Sequence, residues 1–271
     1  MEFIYPEGKK GALTFSFDDN QDFDKKLIEI FNKYGVRGTF NINSGTLGIK
    51  DDQSGDHNYF VSPDELNEVY KGHEIAVHGV HHKFIANLTD SMIVNEFLED
   101  RKALEKITGK LVTGCAYAYG CHNEHIMNIL SHLGIKYSRG VDSTYGFFPP
   151  QDFLDWNPTC HQADPRATEL AESFLNCPGY IELPILYIWG HSFEFGRSGD
   201  WSGIEKLVSM LAGKDFIWYA TNMEICDYIK ATRSLEFTAD GTKAYNPTLI
   251  EVFYKKDNGF SSIKPGELKT L

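Results

Sequence analysis

The residues of this sequence best suited to chemistry are two successive aspartates, Asp18-Asp19, and two histidines four apart, His78 and His82. The aspartates close the run Leu13-Thr14-Phe15-Ser16-Phe17. Neighbouring side chains on a strand leave it in opposite directions, so one carboxylate can hold a metal while the other takes a proton. Asp-Asp-Asn is also ordinary turn composition, and alone it would say no more than that. In His78-Gly79-Val80-His81-His82, imidazoles at i and i+4 share a face if the segment turns helically, a geometry that chelates divalent cations. His81 competes at i+3, a less suitable offset. Tyr117-Ala118-Tyr119-Gly120 offers a tight turn with exposed backbone N–H groups, and Leu186 to Ser192 brings His191 just past another apolar run.

Each motif follows a stretch that reads as a strand. Ala12 to Phe17, Val36 to Ile42, Glu74 to Val77, Leu111 to Tyr117, Ile135 to Ser138, Tyr180 to Trp189 and Phe216 to Ala220 are short apolar runs. Helical patterns lie between many of them. Phe23, Leu27, Ile30, Phe31 and Tyr34 share one face before Gly35, and Ser62-Pro63-Asp64-Glu65 reads as a helix start. Thr89 opens a longer helix with Ile93, Phe97, Leu104 and Ile107 on its apolar face, ending at Gly109. Further helices are expected over 123–133, 201–211 and 223–229, and 140–178 is the least regular part. Alternation of this kind predicts βα units around a parallel sheet, whose active sites form at the carboxyl ends of the strands. Beyond Thr232 the texture changes. Asp240-Gly241, Asn246-Pro247, Asn258-Gly259 and Pro265-Gly266 are turn signals that separate short apolar stretches, which predicts a small antiparallel tail.

The chain has 271 residues, 42% of them hydrophobic and 24% charged, enough for one sizeable core. Its net charge of −12 disfavours general binding to nucleic acid or anionic membrane. No window approaches a membrane span. The start Met1-Glu2-Phe3-Ile4-Tyr5-Pro6 has no leader pattern, which leads us to expect a cytoplasmic protein, although a trimmed leader would look the same. Five cysteines without CxxC spacing suit reduced thiols.

In the order and spacing of its motifs, roughly residues 10 to 230 resemble the polysaccharide deacetylase family, the carbohydrate esterases with a NodB-type domain. Thr14 to Asp19 resembles the family's first motif, which implies that Asp18 is the general base and Asp19 a metal ligand. His78 to His82, with the lead-in Gly72-His73-Glu74-Ile75, resembles its metal motif. Tyr117 to Gly120 resembles the third, implying an oxyanion contact from the Tyr119 N–H. Asp155-Trp156 looks like a remnant of the fourth, and the run to His191 resembles the fifth, which supplies a general acid. The resemblance implies a distorted, incomplete (β/α) barrel over residues 1–232, with the β tail of 233–271 packed on it. It also implies one divalent metal held by Asp19, His78 and His82, with Zn²⁺ favoured and Co²⁺ or Ni²⁺ accepted.

This sequence departs from the family pattern in three places. Asn20 stands where the first motif usually has Gly, a mild change because Asn tolerates a left-handed backbone. The third motif lacks the Arg that holds the base carboxylate, and Arg139, just past a strand, is the candidate replacement. The loop Phe153 to His161 extends the fourth motif, so His161 is open to lining the pocket, assisting proton transfer or capping a turn. Trp156 and Trp189 are candidates to stack on a sugar, against the commoner fate of a core Trp. Glu194 is a candidate to orient His191 or to contact substrate. His122 and His125 read as the start of a solvated helix. The expected activity is hydrolysis of an acetyl group from an acetylated sugar or glycan, a cytoplasmic precursor being the natural substrate. Hydrolysis of a non-sugar amide C–N bond and a non-catalytic glycan-binding relative remain the alternatives.

Overall fold

Strand β1 (Gly11–Asp18) is the centre of the sheet, and every one of its residues is buried. A strand covered on both faces must be apolar on one and satisfied on the other. Phe15 and Phe17 turn outward, where their rings pack on Phe31 at 4.9 and 5.9 Å. Thr14, Ser16 and Asp18 turn inward, where Thr14 donates to Asn222 at 2.7 Å and Ser16 accepts from Asn41 at 2.8 Å. The computed structural model that shows this describes residues 1–51, 58–177, 179–257 and 259–271.

Seven further strands surround β1: β2 (Gly38–Ile42), β3 (Glu74–Val77), β4 (Gly114–Ala116), β5 (Tyr137–Arg139), β6 (Cys160–His161), β7 (Ile185–His191) and β8 (Ile217–Tyr219). All pairings are parallel, in the order β5-β4-β3-β2-β1-β7-β6, with β8 beside the foot of β1. The sheet curls into an incomplete barrel, and an isolated parallel bridge between Arg139 and Trp156 draws its two ends together. Register explains why the motifs meet. His191 lies opposite Asp18, Asp18 opposite Asn41, Ile42 opposite Val77, and Ala116 opposite Arg139, so all these positions fall at the carboxyl rim.

The outer layer is helical: α1 (Asp24–Tyr34), α2 (Asp90–Thr108), α3 (Glu124–His132), α4 (Ala167–Leu175), α5 (Ser192–Ser198), α6 (Ser202–Leu211) and α7 (Asn222–Arg233). Gly35 and Gly109 end α1 and α2 in the left-handed conformation. Helices α4 and α5 were not expected. The first lies in the stretch read as irregular and buries Ala167, Ala171 and Phe174; the second follows His191 directly. The strands expected from Leu111 and from Tyr180 are shorter, because Leu111 and Tyr180 are exposed and the pairing begins only at Gly114 and Ile185. Near Ser62-Pro63 only one helical turn forms, Leu66–Val69.

The tail forms two small antiparallel sheets. Val252–Lys256 pairs with Gly259–Ile263 and with Phe3–Ile4; Lys243–Tyr245 pairs with Glu236–Phe237 and Leu268–Thr270. Turns at Gly241 and Gly266 take positive φ, as the sequence suggested, while Asn258 lies outside the described residues. The tail meets α7 through Ala231, Leu235, Val252 and Tyr254. It joins the foot of the barrel, away from the rim. A cavity of about 720 Å³ there, lined by Lys10, Phe174, Phe216 and Phe260, contains none of the rim carboxylates or histidines. No helix among the described residues is long and apolar enough to cross a membrane.

Candidate active site

Asp18 ends β1 with its carboxyl buried. One oxygen accepts from Asn41 Nδ2 at 2.7 Å, and the other pairs with Arg139 Nη2. Arg139 is wholly buried. Its Nη1 donates to the Gly140 carbonyl at 3.0 Å, and its guanidinium lies 4.5 Å from the centroid of the Trp189 ring. Burial works to raise the Asp18 pKa, but Arg139, then His78 and His191, outweigh it and hold the carboxyl well below the usual range. The cation missing from the third motif therefore arrives from β5, and Arg139 is the last residue of that strand rather than one beyond it.

Beside this pair lies the group Asp19, His78 and His82, whose ligating atoms fall within 4.8 Å of one another. His78 is buried, and its Nδ1 lies 2.8 Å from the Ala116 carbonyl. A carbonyl only accepts, so Nδ1 carries the hydrogen and the Nε2 lone pair is left free. Among the described residues Nε2 has no hydrogen-bond partner, and it faces Asp18 and Asp19 at 3.6 Å each. Burial keeps the His78 pKa below the ordinary imidazole value, against the pull of Asp18 and Asp19, which preserves that lone pair. His82 Nε2 is 3.5 Å from Asp19 Oδ1. An orphaned buried lone pair beside a second imidazole and a carboxylate fits a divalent cation.

One expectation fails here. The segment from His78 to His82 is not helical. Gly79 and His82 take positive φ, 83° and 52°, and the chain doubles back as an irregular loop that still brings the two rings to 4.9 Å. Helix α2 holds that loop with two buried carboxylates. Asp100 accepts from the N–H groups of Ser44 at 2.7 Å and His78 at 3.0 Å, and Glu96 accepts from that of His81 at 2.5 Å. His81 itself is exposed and is not part of the Asp19, His78 and His82 group. Asp19 and Asn20 also take positive φ, 76° and 40°, so the left-handed turn expected at Asn20 spans both residues.

Across the site, His191 Nε2 faces Asp19 at 3.9 Å, while its Nδ1 meets Glu194 Oε1 at 2.8 Å. His161 Nε2 reaches the same oxygen at 3.2 Å, and Gln162 donates to the other at 2.5 Å. Burial would raise the Glu194 pKa, but bonds to His161 and His191 bring it down to about 2. Burial would likewise lower that of His191, and Glu194, Asp18 and Asp19 instead raise it. His161, His191 and Glu194 have a composition that also suits a metal. However, the Ala163 N–H donates to His161 Nδ1 at 3.2 Å, so in neutral His161 the hydrogen is on Nε2, the atom a metal would need. The cluster is a hydrogen-bond relay onto Glu194.

Tyr119 sits at the rim in a left-handed turn, φ 60°, with its side chain exposed. Trp156 does not reach the site. It is 2% exposed and packs among Tyr137, Phe153 and Tyr187, so no ring face remains for a sugar. Trp189 is half-buried and supports Arg139. Asp155 and His122 bond to each other at 3.0 Å, away from the metal group.

The polysaccharide deacetylase family model matches residues 6–138. No curated protein matches the sequence. Among solved structures, the chain is similar to a putative polysaccharide deacetylase from Mycobacterium smegmatis at 18% identity and TM-score 0.61, over 86% of this chain and 94% of that one. It is similar to the peptidoglycan deacetylase PdaC of Bacillus subtilis at 16% identity and TM-score 0.51, over 85% and 95%. A CE4-family pseudoenzyme mutant with restored activity aligns at 12% identity and TM-score 0.51, over 83% and 70%. Arg139 and His191 lie beyond the matched segment but within the same barrel. Over residues 6–138 this chain is similar to the polysaccharide deacetylase family, and its curled parallel sheet is the incomplete barrel of the deacetylase type.

Proposed function

We propose that the chain is a divalent-metal-dependent hydrolase that removes an acetyl group from an acetylated sugar of a glycan. The observation that carries this is the placement of the Asp18–Arg139 pair against the free Nε2 of His78, with Asp19 and His82 beside it and His191 opposite. Asp19, His78 and His82 would hold the cation, Zn²⁺ being the best match for two imidazoles and one carboxylate, with Co²⁺ or Ni²⁺ as substitutes. When bound, such an ion supplies Lewis-acid polarisation of the acetyl carbonyl and acidifies water at the site.

The protein groups do the rest. Asp18, kept ionised by Arg139, accepts the proton of the attacking water. Arg139 fixes the direction of that carboxylate, and Asn41 fixes its second oxygen. By the resemblance of Tyr117 to Gly120 to the third motif, the Tyr119 N–H would donate to the oxyanion. His191 carries a proton on Nε2 toward the leaving amine or alkoxide, while Nδ1 stays on Glu194. His161 and Gln162 hold Glu194 from behind.

The absent third-motif Arg favoured a non-catalytic relative, and the pairing of Arg139 with Asp18 supports the enzyme reading instead. A protein of this fold can lack activity, as the pseudoenzyme among its neighbours indicates. Metal analysis with an acetate-release assay decides the matter. Asp19→Ala and His78→Ala should lose metal and activity together. A wild type that carries no metal, releases no acetate and still binds glycan would mean a binding module instead. Release from a small non-sugar amide but from no acetylated sugar would favour the amidase alternative.

A further inference from the structure

The two ends of the sheet meet through backbone bonds. Trp156 donates its N–H to the Ser138 carbonyl and accepts from the Gly140 N–H, both at 3.2 Å. Arg139 lies between those two residues, so the seam also sets the guanidinium that pairs with Asp18. Two side chains from the end of β4 and the turn after it reach the residues just before Trp156. The Tyr117 hydroxyl donates to the Leu154 carbonyl at 2.8 Å, and His122 Nε2 lies 3.0 Å from Asp155 Oδ1. His122 Nδ1 lies 2.9 Å from the Gly120 carbonyl, and its ring stacks on that of Tyr117, centroids 4.5 Å apart and planes 4° from parallel. The sequence suggested a solvated histidine here, yet its side chain is only 16% exposed. Both ring nitrogens face acceptors, and a neutral imidazole has one hydrogen for two such bonds. Asp155 Oδ1 also accepts from Asn157 Nδ2 at 3.0 Å, the behaviour of a carboxylate oxygen. Both bonds of His122 therefore form together only on the doubly protonated ring.

We infer that His122 is a positioning residue: with hydrogens on both ring nitrogens it latches the 118–120 turn to the 153–157 return, and so holds the seam that aims Arg139 at Asp18. The latch itself is independent of what the rim does; its effect on turnover rests on the deacetylase reading. A bond between imidazolium and carboxylate is stronger than its neutral counterpart, and an imidazolium lying on a phenol ring gains a cation–π contact. The ring faces the Tyr117 phenol, the Gly140 backbone and the Asp155 carboxylate. A Cβ at Gly140 would stand 3.3 Å from His122 Cε1 and collide with Asn157 Oδ1, so the strand end and the return are packed closely around the ring. The latch is closed while Asp155 is ionised and the ring keeps both hydrogens. It opens as rising pH removes one of them, and again in acid that neutralises the carboxylate.

The ring ¹⁵N resonances of His122 and the exchange of the Arg139 guanidinium hydrogens are measured by NMR at neutral pH on the Zn²⁺-loaded full chain. Wild type should show hydrogen on both nitrogens of His122. Asp155→Asn, whose amide can donate to the ring, should show hydrogen on Nδ1 alone. His122→Phe keeps the stack on Tyr117 and removes both bonds. In it and in Asp155→Asn the Arg139 hydrogens should exchange about tenfold faster, as expected for losing one hydrogen bond to a charged group. The same variants should lower kcat about tenfold with KM and Zn²⁺ content unchanged, and the double variant should lose no more than either single one. A singly protonated ring in wild type, a doubly protonated ring that survives Asp155→Asn, or Arg139 exchange unchanged in both variants overturns the latch. Slower turnover with strictly additive losses overturns it too. A wild type that shows the doubly protonated ring and the expected Arg139 exchange but releases no acetate overturns the deacetylase reading and leaves the latch standing.

Discussion

Asp18 and Arg139 are both withdrawn from water, and each is affordable only because the other is there. Removing one partner leaves a buried charge uncompensated, at a cost of about 3–5 kcal/mol. Arg139→Met should therefore lower stability by roughly that amount in urea unfolding and abolish acetate release. Adding Asp18→Asn should recover much of the stability but none of the activity. A double variant no more stable than Arg139→Met alone would mean that the pair does not account for the loss. Arg139→Lys should not restore full turnover, because an ammonium lacks the planar fork that fixes the carboxylate. Asp18, Asp19, His78 and His82 were legible in the sequence because each pair is local and follows an apolar run. Arg139 was no more than a candidate, since its partner lies 121 residues away and no spacing connects them.

At the level of elements, the loop from His78 to His82 owes its shape to α2. The backbone N–H groups of a loop with two left-handed residues cannot all pair within it, so Asp100 and Glu96 accept them from below. The His-x-x-x-His spacing resembled a helical turn because i and i+4 are neighbours on a helix. Here a doubled-back loop achieves the same approach. Gly79 is the sensitive point: at φ 83°, any Cβ would be strained and would lie 3.1 Å from Glu96 Cγ. Gly79→Ala should cost about 1–2 kcal/mol of stability and weaken Zn²⁺ binding, which a metal-chelator competition titration would read. Unchanged affinity would show that the loop tolerates displacement. Strong periodicity made α1, α2 and α3 legible. Helix α4 carries its own helical pattern in Ala167, Leu170, Ala171 and Phe174, but the Pro- and aromatic-rich surroundings masked it. The seven residues of α5 are too few for a periodic signal.

For the whole molecule, the alternation of strands and helices was enough to foresee a parallel sheet with the candidate residues at one rim. The sequence did not disclose how the sheet ends meet, because the Arg139–Trp156 bridge depends on a long irregular return through 140–155. Nor did it disclose that the barrel interior is polar. At the foot of that interior Glu74 accepts from Tyr137, Thr39 and the Met223 N–H, yet burial still pushes it up to about 7. Asp24 and Asp100 are also buried and pushed up to about 7. A carboxyl whose pKa is raised by folding stabilises the native state below its unfolded value and loses that contribution as pH rises through the folded value. Each such group contributes a slope of about 1.4 kcal/mol per pH unit between its unfolded pKa and about 7. Glu74→Gln should flatten the fall in stability from pH 5 to pH 7, measured by urea unfolding. An unchanged slope would place Glu74 in its ionised form in the native protein.

The central claim joins the metal group to acetate release, and one measurement addresses both. Wild-type protein is stripped with a chelator, reloaded with one equivalent of Zn²⁺, and assayed for acetate released from an N-acetylated oligosaccharide at each stage. The expected result is loss of release on stripping and recovery at one equivalent, with no recovery in Asp19→Ala. Release that survives removal of the metal, or no release from protein carrying a full equivalent, would contradict the account.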